Sequence, residues 1–239
     1  MIPSLDEIKL RMEQINERIH HAAQSVGRDA EDVTLVVVTK THPAELVRSA
    51  VKAGARVLGE SYVDEAVVKM DALADLDVEW HMIGHIQSRK AKSVAQHFDL
   101  VHSLDRKKTA NRLSRFAVEN ERVLPVLLQL NVSGEDTKSG WNASNSARWS
   151  QLLDELSPIM ELPGLALRGL MTMAPYDDDP ETARPYFAAL RNLREQIARR
   201  FPSHDLSELS MGMSGDFEVA IQEGATLVRL GSAILGPRR

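Results

Sequence analysis

Residues 35–40 read LVVVTK, a short run of aliphatic, mostly β-branched side chains that ends in a lysine. Seven similar runs follow, separated by longer amphipathic or charged segments, at residues 56–61, 79–84, 100–105, 125–131, 167–173, 208–214 and 227–232. Near-continuous apolar strands that alternate with helices are typical of parallel strands buried on both faces. Eight strands close a (β/α)8 barrel, whereas an open doubly wound sheet usually has fewer. The sequence therefore predicts an α/β TIM barrel.

The segment before the first strand is predicted to be an extra helix. Ser4 and Glu7 have the spacing of a capping box, which indicates a long helix that ends near Gly27. We expect residues 1–30 to pack as this helix on the barrel and residues 1–239 to form a single domain, because no linker or repeat divides the chain. The polar residues 134–140, GEDTKSG, are predicted to form a loop after the fifth strand.

Composition and charge exclude several classes of protein. The 29 Lys and Arg residues are outnumbered by 34 Asp and Glu residues, so the net charge of −5 argues against a nucleic-acid-backbone binder. The absence of cysteine excludes disulfide scaffolds, thiolate metal sites and thiol catalysis. The first 20 residues are charged throughout, and no apolar run approaches the roughly 20 residues of a membrane span. We therefore expect a soluble, cytoplasmic protein that does not bind membranes.

Lys40 stands at the end of the first predicted strand, where the strand meets the barrel mouth. Active sites of such barrels lie at the carboxyl ends of the strands. Partial desolvation there lowers the pKa of an ammonium group and frees the amine to form an imine. The alternative is a structural lysine whose stem lies on the core and whose amine reaches solvent.

Two turns of small residues follow the last two predicted strands. Ser214 and Gly215 precede an amphipathic stretch that predicts a helix, and backbone N–H groups at such a position bind anions. Gly231 and Ser232 form a second turn in which the backbone can approach a ligand closely. Together they predict a phosphate site, as is frequent after strands seven and eight of barrels. The alternative is that Ser214 only caps the helix.

Arg229 interrupts an otherwise apolar strand and shares a face with Leu227 and Gly231. A buried guanidinium must meet a carboxylate, backbone carbonyls or a ligand acceptor, because an unpaired buried charge is too costly. The sequence leaves open whether Arg229 faces a ligand or forms a structural ion pair.

Other polar groups are interpreted as structural. His81 and His85 are four residues apart but straddle a strand end, so they do not have the geometry of a helical metal site, and no metal is predicted. Arg89, Lys90 and Lys92 are interpreted as a small solvated face of an acidic chain.

An amine, a phosphate site and a buried arginine in one barrel suggest pyridoxal 5′-phosphate (PLP) as ligand. The sequence resembles the YggS/PROSC family of PLP homeostasis proteins from about Ser4 to Gly236. The resemblance lies in the motifs VVVTKTHP, GESYVDE, WHMIGHIQSRK, NVSGEDTKSG, RGLMTMAP, LSMGMSGDFEVAI and VRLGSAILG, at residues 36–43, 59–65, 80–90, 131–140, 168–175, 209–221 and 228–236.

The resemblance implies a barrel like the N-terminal domain of alanine racemase. By motif position, Lys40 would form the Schiff base with PLP, and Ser214 together with Gly231 and Ser232 would hold the phosphate. Arg229 would face the pyridine nitrogen. The chain departs from the common pattern at Ser61, where the family usually has Asn, at His85 in place of Pro and at Arg89 in place of Asn. The change at Ser61 puts a side-chain amide contact to the cofactor in doubt.

The resemblance also implies a carrier or buffer of PLP in vitamin B6 homeostasis without robust catalysis, with PLP-dependent apoenzymes as partners. An arginine at the pyridine nitrogen disfavours its protonation and so weakens PLP as an electron sink. The chain ends directly after the eighth strand, without the β-domain that gives alanine racemases their second acid/base, which favours a non-catalytic monomer. Alternatives are a PLP-dependent amino-acid racemase and a Schiff-base enzyme acting on a phosphorylated metabolite. Whether Arg89 and Lys90 form a second PLP site stays open.

Overall fold

The computed structural model describes residues 3–237, so residues 1, 2, 238 and 239 of the predicted domain lie outside the described residues. Within it, eight parallel strands form a closed barrel in the order β1-β2-β3-β4-β5-β7-β8-β9, and β9 pairs again with β1. A two-residue strand, β6, pairs with the last two residues of β5. The strands are β1 Thr34–Val38, β2 Val57–Glu60, β3 Glu79–Met82, β4 Leu100–Leu104, β5 Leu124–Asn131, β6 Trp141–Asn142, β7 Leu165–Met171, β8 Glu208–Ser210 and β9 Leu227–Leu230. The predicted barrel is confirmed.

Helices connect the strands and surround the barrel. They are α1 Leu5–Gln24, α2 Ala44–Lys52, α3 Val63–Ala72, α4 Ala91–His97, α5 Lys107–Glu119, α6 Trp149–Met160, α7 Arg184–Arg200, α8 Phe217–Gln222 and α9 Ser232–Leu235. No helix within residues 3–237 has the length and apolar character needed to cross a bilayer.

Helix α1 begins at the predicted capping box. The Glu7 N–H donates to Ser4 Oγ at 3.2 Å, and the Ser4 N–H donates to Glu7 Oε2 at 2.7 Å. One face of α1, which includes Ile8 and Ile15, is buried in the same apolar cluster as the barrel helices. Contacts with α2, α8 and α9 make α1 an outer layer over the part of the barrel where the chain ends.

Several strands end earlier than predicted. The last predicted strands run to residues 214 and 232, whereas β8 ends at Ser210 and β9 at Leu230. Gly212 has a φ of +93°, which ends the extended backbone, and its carbonyl accepts a hydrogen bond from the Arg229 N–H at 3.1 Å. The apolar pattern continues because Met211 is still buried, so hydrophobicity does not mark the strand end.

The barrel interior holds an apolar layer and a polar group beside it. The apolar layer contains Val36, Val57, Leu100, Leu127, Met171 and Leu227. The polar group contains His81, His102, Ser210 and Arg229, all buried. The main apolar core lies outside this interior, between the strands and the surrounding helices.

Candidate functional site

All five residues predicted to form the site line one cavity. Lys40, Ser214, Arg229, Gly231 and Ser232 surround a space of about 290 Å³ at the carboxyl ends of β1, β8 and β9. Lys40 is half-buried in this mouth, two residues beyond the end of β1. The structure therefore brings an amine, a guanidinium and two small-residue turns together, as the sequence predicts. We name this space the main cavity.

The backbone on both sides of Lys40 is held by side chains of neighbouring elements. The Thr39 carbonyl accepts a hydrogen bond from Lys69 Nζ at 2.7 Å. The Thr41 N–H donates to Glu65 Oε1 at 2.6 Å. Thr41 has a φ of +65°, a left-handed conformation that is strained for a β-branched residue. These contacts fix the path of the chain through Lys40.

Lys69 is the centre of a buried ion cluster that sequence reasoning missed. It is 5% exposed, and besides Thr39 its Nζ contacts Glu60 Oε1 at 2.7 Å and Glu65 Oε1 at 2.5 Å. Glu60 is fully buried, also accepts from Thr39 Oγ1 at 2.7 Å, and leaves Oε2 without a partner. Burial raises the pKa of Glu60, while the hydrogen bond from Lys69 opposes this rise. A lysine on an amphipathic helix gives no sequence signal that it points inward.

Arg229 is 5% exposed and forms no ion pair with a carboxylate among residues 3–237. Its Nη1 donates to Ser210 Oγ at 2.5 Å, and its Nη2 donates to the Thr172 carbonyl at 3.0 Å. Burial lowers the pKa of Arg229 to about 10, against the opposing effect of the Asp216 carboxylate. The guanidinium is therefore still charged at neutral pH, and the alternative of a structural ion pair is wrong.

A directional chain of hydrogen bonds runs from Arg229 through the barrel interior. Because Ser210 Oγ accepts from Arg229, its own proton donates to His102 Nδ1, 2.7 Å away. His102 then donates from Nε2 to His81 Nδ1 at 3.0 Å, and His81 Nε2 donates to Glu79 Oε2 at 3.4 Å. Burial lowers the pKa of His102 well below its ordinary value, which keeps the ring neutral and able to accept. This chain fixes one tautomer for each histidine.

The first small-residue turn differs from the simplest expectation. Asp216, and not Ser214, is the residue before α8, so the alternative that Ser214 merely caps this helix is wrong. Asp216 Oδ1 accepts from the Met213 N–H at 2.6 Å, which closes the turn around Ser214 and Gly215. Burial raises the pKa of Asp216, opposed by this hydrogen bond and by Arg229.

The close approach of β1 explains why residue 231 is a glycine. A Cβ atom at this position would lie 3.2 Å from both Val38 Cβ and the Val38 carbonyl oxygen. Glycine therefore lets the turn approach β1, next to Lys40. Ser232 follows as the first residue of α9. The structure shows close approach of this turn to β1, and the predicted close approach to a ligand stays a prediction.

Lys40 also borders a second cavity of about 530 Å³. Its other lining residues include Tyr62, His85, Arg89 and Lys90. Ser61, at the position where the family usually has Asn, lines the second cavity and not the main cavity. His81 and His85 have separate partners, His102 and Asp105, at 3.0 Å each.

The chain is similar in sequence and in structure to known proteins. The model of the alanine racemase N-terminal domain matches residues 11–239. The pyridoxal phosphate homeostasis protein of Aquifex aeolicus is 42% identical over 229 residues, 96% of this chain and 97% of that protein. PipY of Synechococcus elongatus, whose structure was solved with PLP bound, is 36% identical with a TM-score of 0.79, covering 93% of this chain and 100% of PipY.

A protein of unknown function from Bifidobacterium adolescentis has a TM-score of 0.87 and 33% identity, covering 96% of this chain and 95% of that protein. These matches extend over nearly the whole chain and confirm the resemblance indicated by the motifs. The chain belongs to the family of pyridoxal phosphate homeostasis proteins, which has the barrel fold of the alanine racemase N-terminal domain.

Proposed function

We propose that this chain binds PLP and carries or buffers it in the cytoplasm as part of vitamin B6 homeostasis. Lys40 is the covalent attachment point, Ser214, Gly231 and Ser232 hold the phosphate, and Arg229 faces the pyridine nitrogen. The observation that carries the proposal is that these five residues border one cavity. The PLP bound to PipY and the names of the curated relatives support the same ligand.

The chemistry of the main cavity fits each part of PLP. An amine at Lys40 suits the aldehyde, and two turns of small residues leave backbone N–H groups for a phosphate. The volume of about 290 Å³ is at the small end of the range of ligand sites, which is about 300–1,000 Å³. PLP supplies an aldehyde for imine chemistry and an aromatic ring that can act as an electron sink.

We infer that the chain has no robust catalysis. Arg229 is a charged donor held by Ser210 and Thr172, so it offers the ring nitrogen a hydrogen bond and no carboxylate to stabilise its protonated form. Tyr176, which lines the main cavity, is 89% exposed and donates to Asp178, which raises its pKa and keeps the phenol protonated, so it cannot accept a proton at neutral pH. A racemase needs a second acid/base opposite the lysine.

The direct test is reductive trapping with borohydride followed by peptide mass spectrometry. We expect the purified chain to turn yellow with PLP and to carry the reduced adduct on Lys40. Lys40→Ala should lose both signals. The matched control is Lys90→Ala, a lysine of the second cavity, which should keep them; an adduct on Lys90 in the unaltered chain would instead identify a second PLP site there.

The same preparation separates the alternative functions. A chain that PLP does not colour would favour a Schiff-base enzyme of a phosphorylated metabolite. A yellow chain that rapidly racemises amino acids would favour the racemase. The carrier proposal makes two further predictions. The chain should have the mass of a monomer in solution, and it should transfer PLP to an apoenzyme that requires it.

A further inference from the structure

Positive charge is concentrated in one part of this acidic chain. Residues 85–115 contain eight Lys and Arg residues against two Asp residues, a net charge of +6, whereas the whole chain has −5. The sequence interpretation of a small solvated face considered only Arg89, Lys90 and Lys92. The fold adds three further cations to that group.

These cations lie at the carboxyl ends of two neighbouring strands. Three of them follow β3 and three follow β4, and β3 pairs with β4. Arg106 Nη2 donates to the Ile86 carbonyl at 3.2 Å, and Arg112 Nη1 donates to the Ser88 carbonyl at 3.0 Å, so the two segments are joined. We call the group the basic rim; it consists of Arg89, Lys90, Lys92, Arg106, Lys107 and Lys108.

Most of the basic rim is not neutralised. Among residues 3–237, Lys90 pairs with Asp64 and Arg106 with Asp105, but the other four rim cations form no ion pair with a carboxylate. Those four are also exposed. Elsewhere several exposed or partly exposed arginines pair with carboxylates, for example Arg48 with Asp75 at 2.6 Å. The rim is therefore a surface of excess positive potential.

Helix stability does not explain the positions of these residues. Lys107 and Lys108 occupy the first turn of the 13-residue helix α5, which holds no acidic residue there. The helix dipole disfavours cations at this end, typically by about 0.3–1 kcal/mol each. Helix α3, by contrast, has Asp64 and Glu65 in its first turn.

Two residues of the basic rim border a cavity that also includes Lys40, whereas the main cavity is bordered by exposed acids. Arg89 and Lys90 line the second cavity together with Lys40 and with Asp64, the ion-pair partner of Lys90. The main cavity is bordered instead by Asp177 and Asp179, both exposed. An anion approaching the mouth is thus attracted on the side of the second cavity and repelled on the side of these aspartates.

We propose that the basic rim and the second cavity are the entrance through which a phosphate-bearing ligand reaches Lys40. The rim raises the local concentration of the anion at the mouth and so increases its rate of association, as one-signed clefts do. This inference rests on the proposed function for the identity of the ligand. It adds the route of entry and assigns a role to residues outside the main cavity.

The test is the rate at which PLP modifies Lys40, followed by absorbance and by mass spectrometry of the trapped adduct. In Lys107→Glu/Lys108→Glu, we expect the second-order rate constant at low ionic strength to fall about threefold or more, a part of the roughly 10- to 1,000-fold that a cleft of one charge sign can contribute. The difference should shrink towards 1 M salt, where the Debye length is about 3 Å. Pyridoxal, which has no phosphate, should react equally with both proteins.

The matched control is Lys52→Glu/Arg200→Glu, which makes the same change in net charge in the last turns of α2 and α7, at the other end of the barrel. This control should keep the original rate.

Acids in the first turn of α5 favour the helix, so the thermal unfolding temperature of the rim variant should be unchanged or higher. The proposed entrance would be wrong if the rim variant and the unaltered chain reacted with PLP at equal rates. It would also be wrong if the rate fell equally in the rim variant and in the control. If PLP does not modify Lys40 at all, the proposed function itself is wrong.

Discussion

The Ser210 hydroxyl forms hydrogen bonds with two buried polar side chains. It accepts from Arg229 and donates to His102. We expect Ser210→Ala to lower the free energy of unfolding by about 2–5 kcal/mol, because both partners lose a hydrogen bond in the interior. Urea unfolding measures this. Ser114→Ala is the control, since Ser114 donates only to the Pro163 carbonyl at 2.6 Å and should cost about half as much. Equal losses would contradict the paired role of Ser210.

His102 should make the stability of the fold sensitive to acid. Its pKa is well below the ordinary value in the folded state because of burial, so below about pH 6.5 only the unfolded chain takes up a proton there. Stability should then fall as pH falls, by up to about 1.4 kcal/mol per pH unit from this group. Urea unfolding at pH 7, 6 and 5 should show a shallower decline of stability in His102→Gln than in the unaltered chain; an equal decline in both would contradict the role of His102.

At the scale of elements, the Lys69 cluster ties α3 to the ends of β1 and β2. Lys69→Met leaves Glu60 buried without its cation, and breaking such a pair costs about 3–5 kcal/mol. The loss should appear in urea unfolding, together with slower modification of Lys40 by PLP, because the Thr39 carbonyl loses its donor and Glu65, which accepts from the Thr41 N–H, loses its cation. The double variant Glu60→Gln/Lys69→Met removes the uncompensated charge and should recover much of the stability. A double variant no more stable than Lys69→Met would argue that the ion pair is not the source of the loss.

The elements also show what the sequence could and could not predict. The eight barrel strands, α1 and the placement of Lys40 follow from local patterns, since each depends on residues close together in the chain. The series of hydrogen bonds from Arg229 to Glu79 cannot be predicted from local patterns. Its members His81, His102 and Ser210 meet only through the register of strands that are far apart in sequence. The predicted strand ends were wrong for a related reason: a buried apolar residue such as Met211 can follow the last residue of a strand.

At the scale of the whole molecule, α1 supports the side of the barrel that carries both small-residue turns. It contacts α8 and α9, which begin directly after the turns with Ser214 and Gly231. Arg11 Nη1 donates to the Ile234 carbonyl in α9 at 3.1 Å, and Arg18 forms a two-bonded ion pair with Glu218 in α8 at 2.8 and 2.9 Å. Helix α1 therefore supports the two turns that are proposed to bind phosphate, through its contacts with the helices that follow them.

This arrangement predicts that loosening α1 weakens phosphate binding specifically. Ile15→Ala in α1 and Ile159→Ala in α6 each remove a side chain that is at most 4% exposed, and each should cost about 2–5 kcal/mol of stability. Only Ile15→Ala should weaken the equilibrium affinity for PLP, because α6 contacts neither α8 nor α9 extensively. Affinity for pyridoxal, which makes no use of the turns, should be unchanged in both. Equal weakening of PLP binding by the two variants would mean that general stability, and not support of the turns by α1, controls the site.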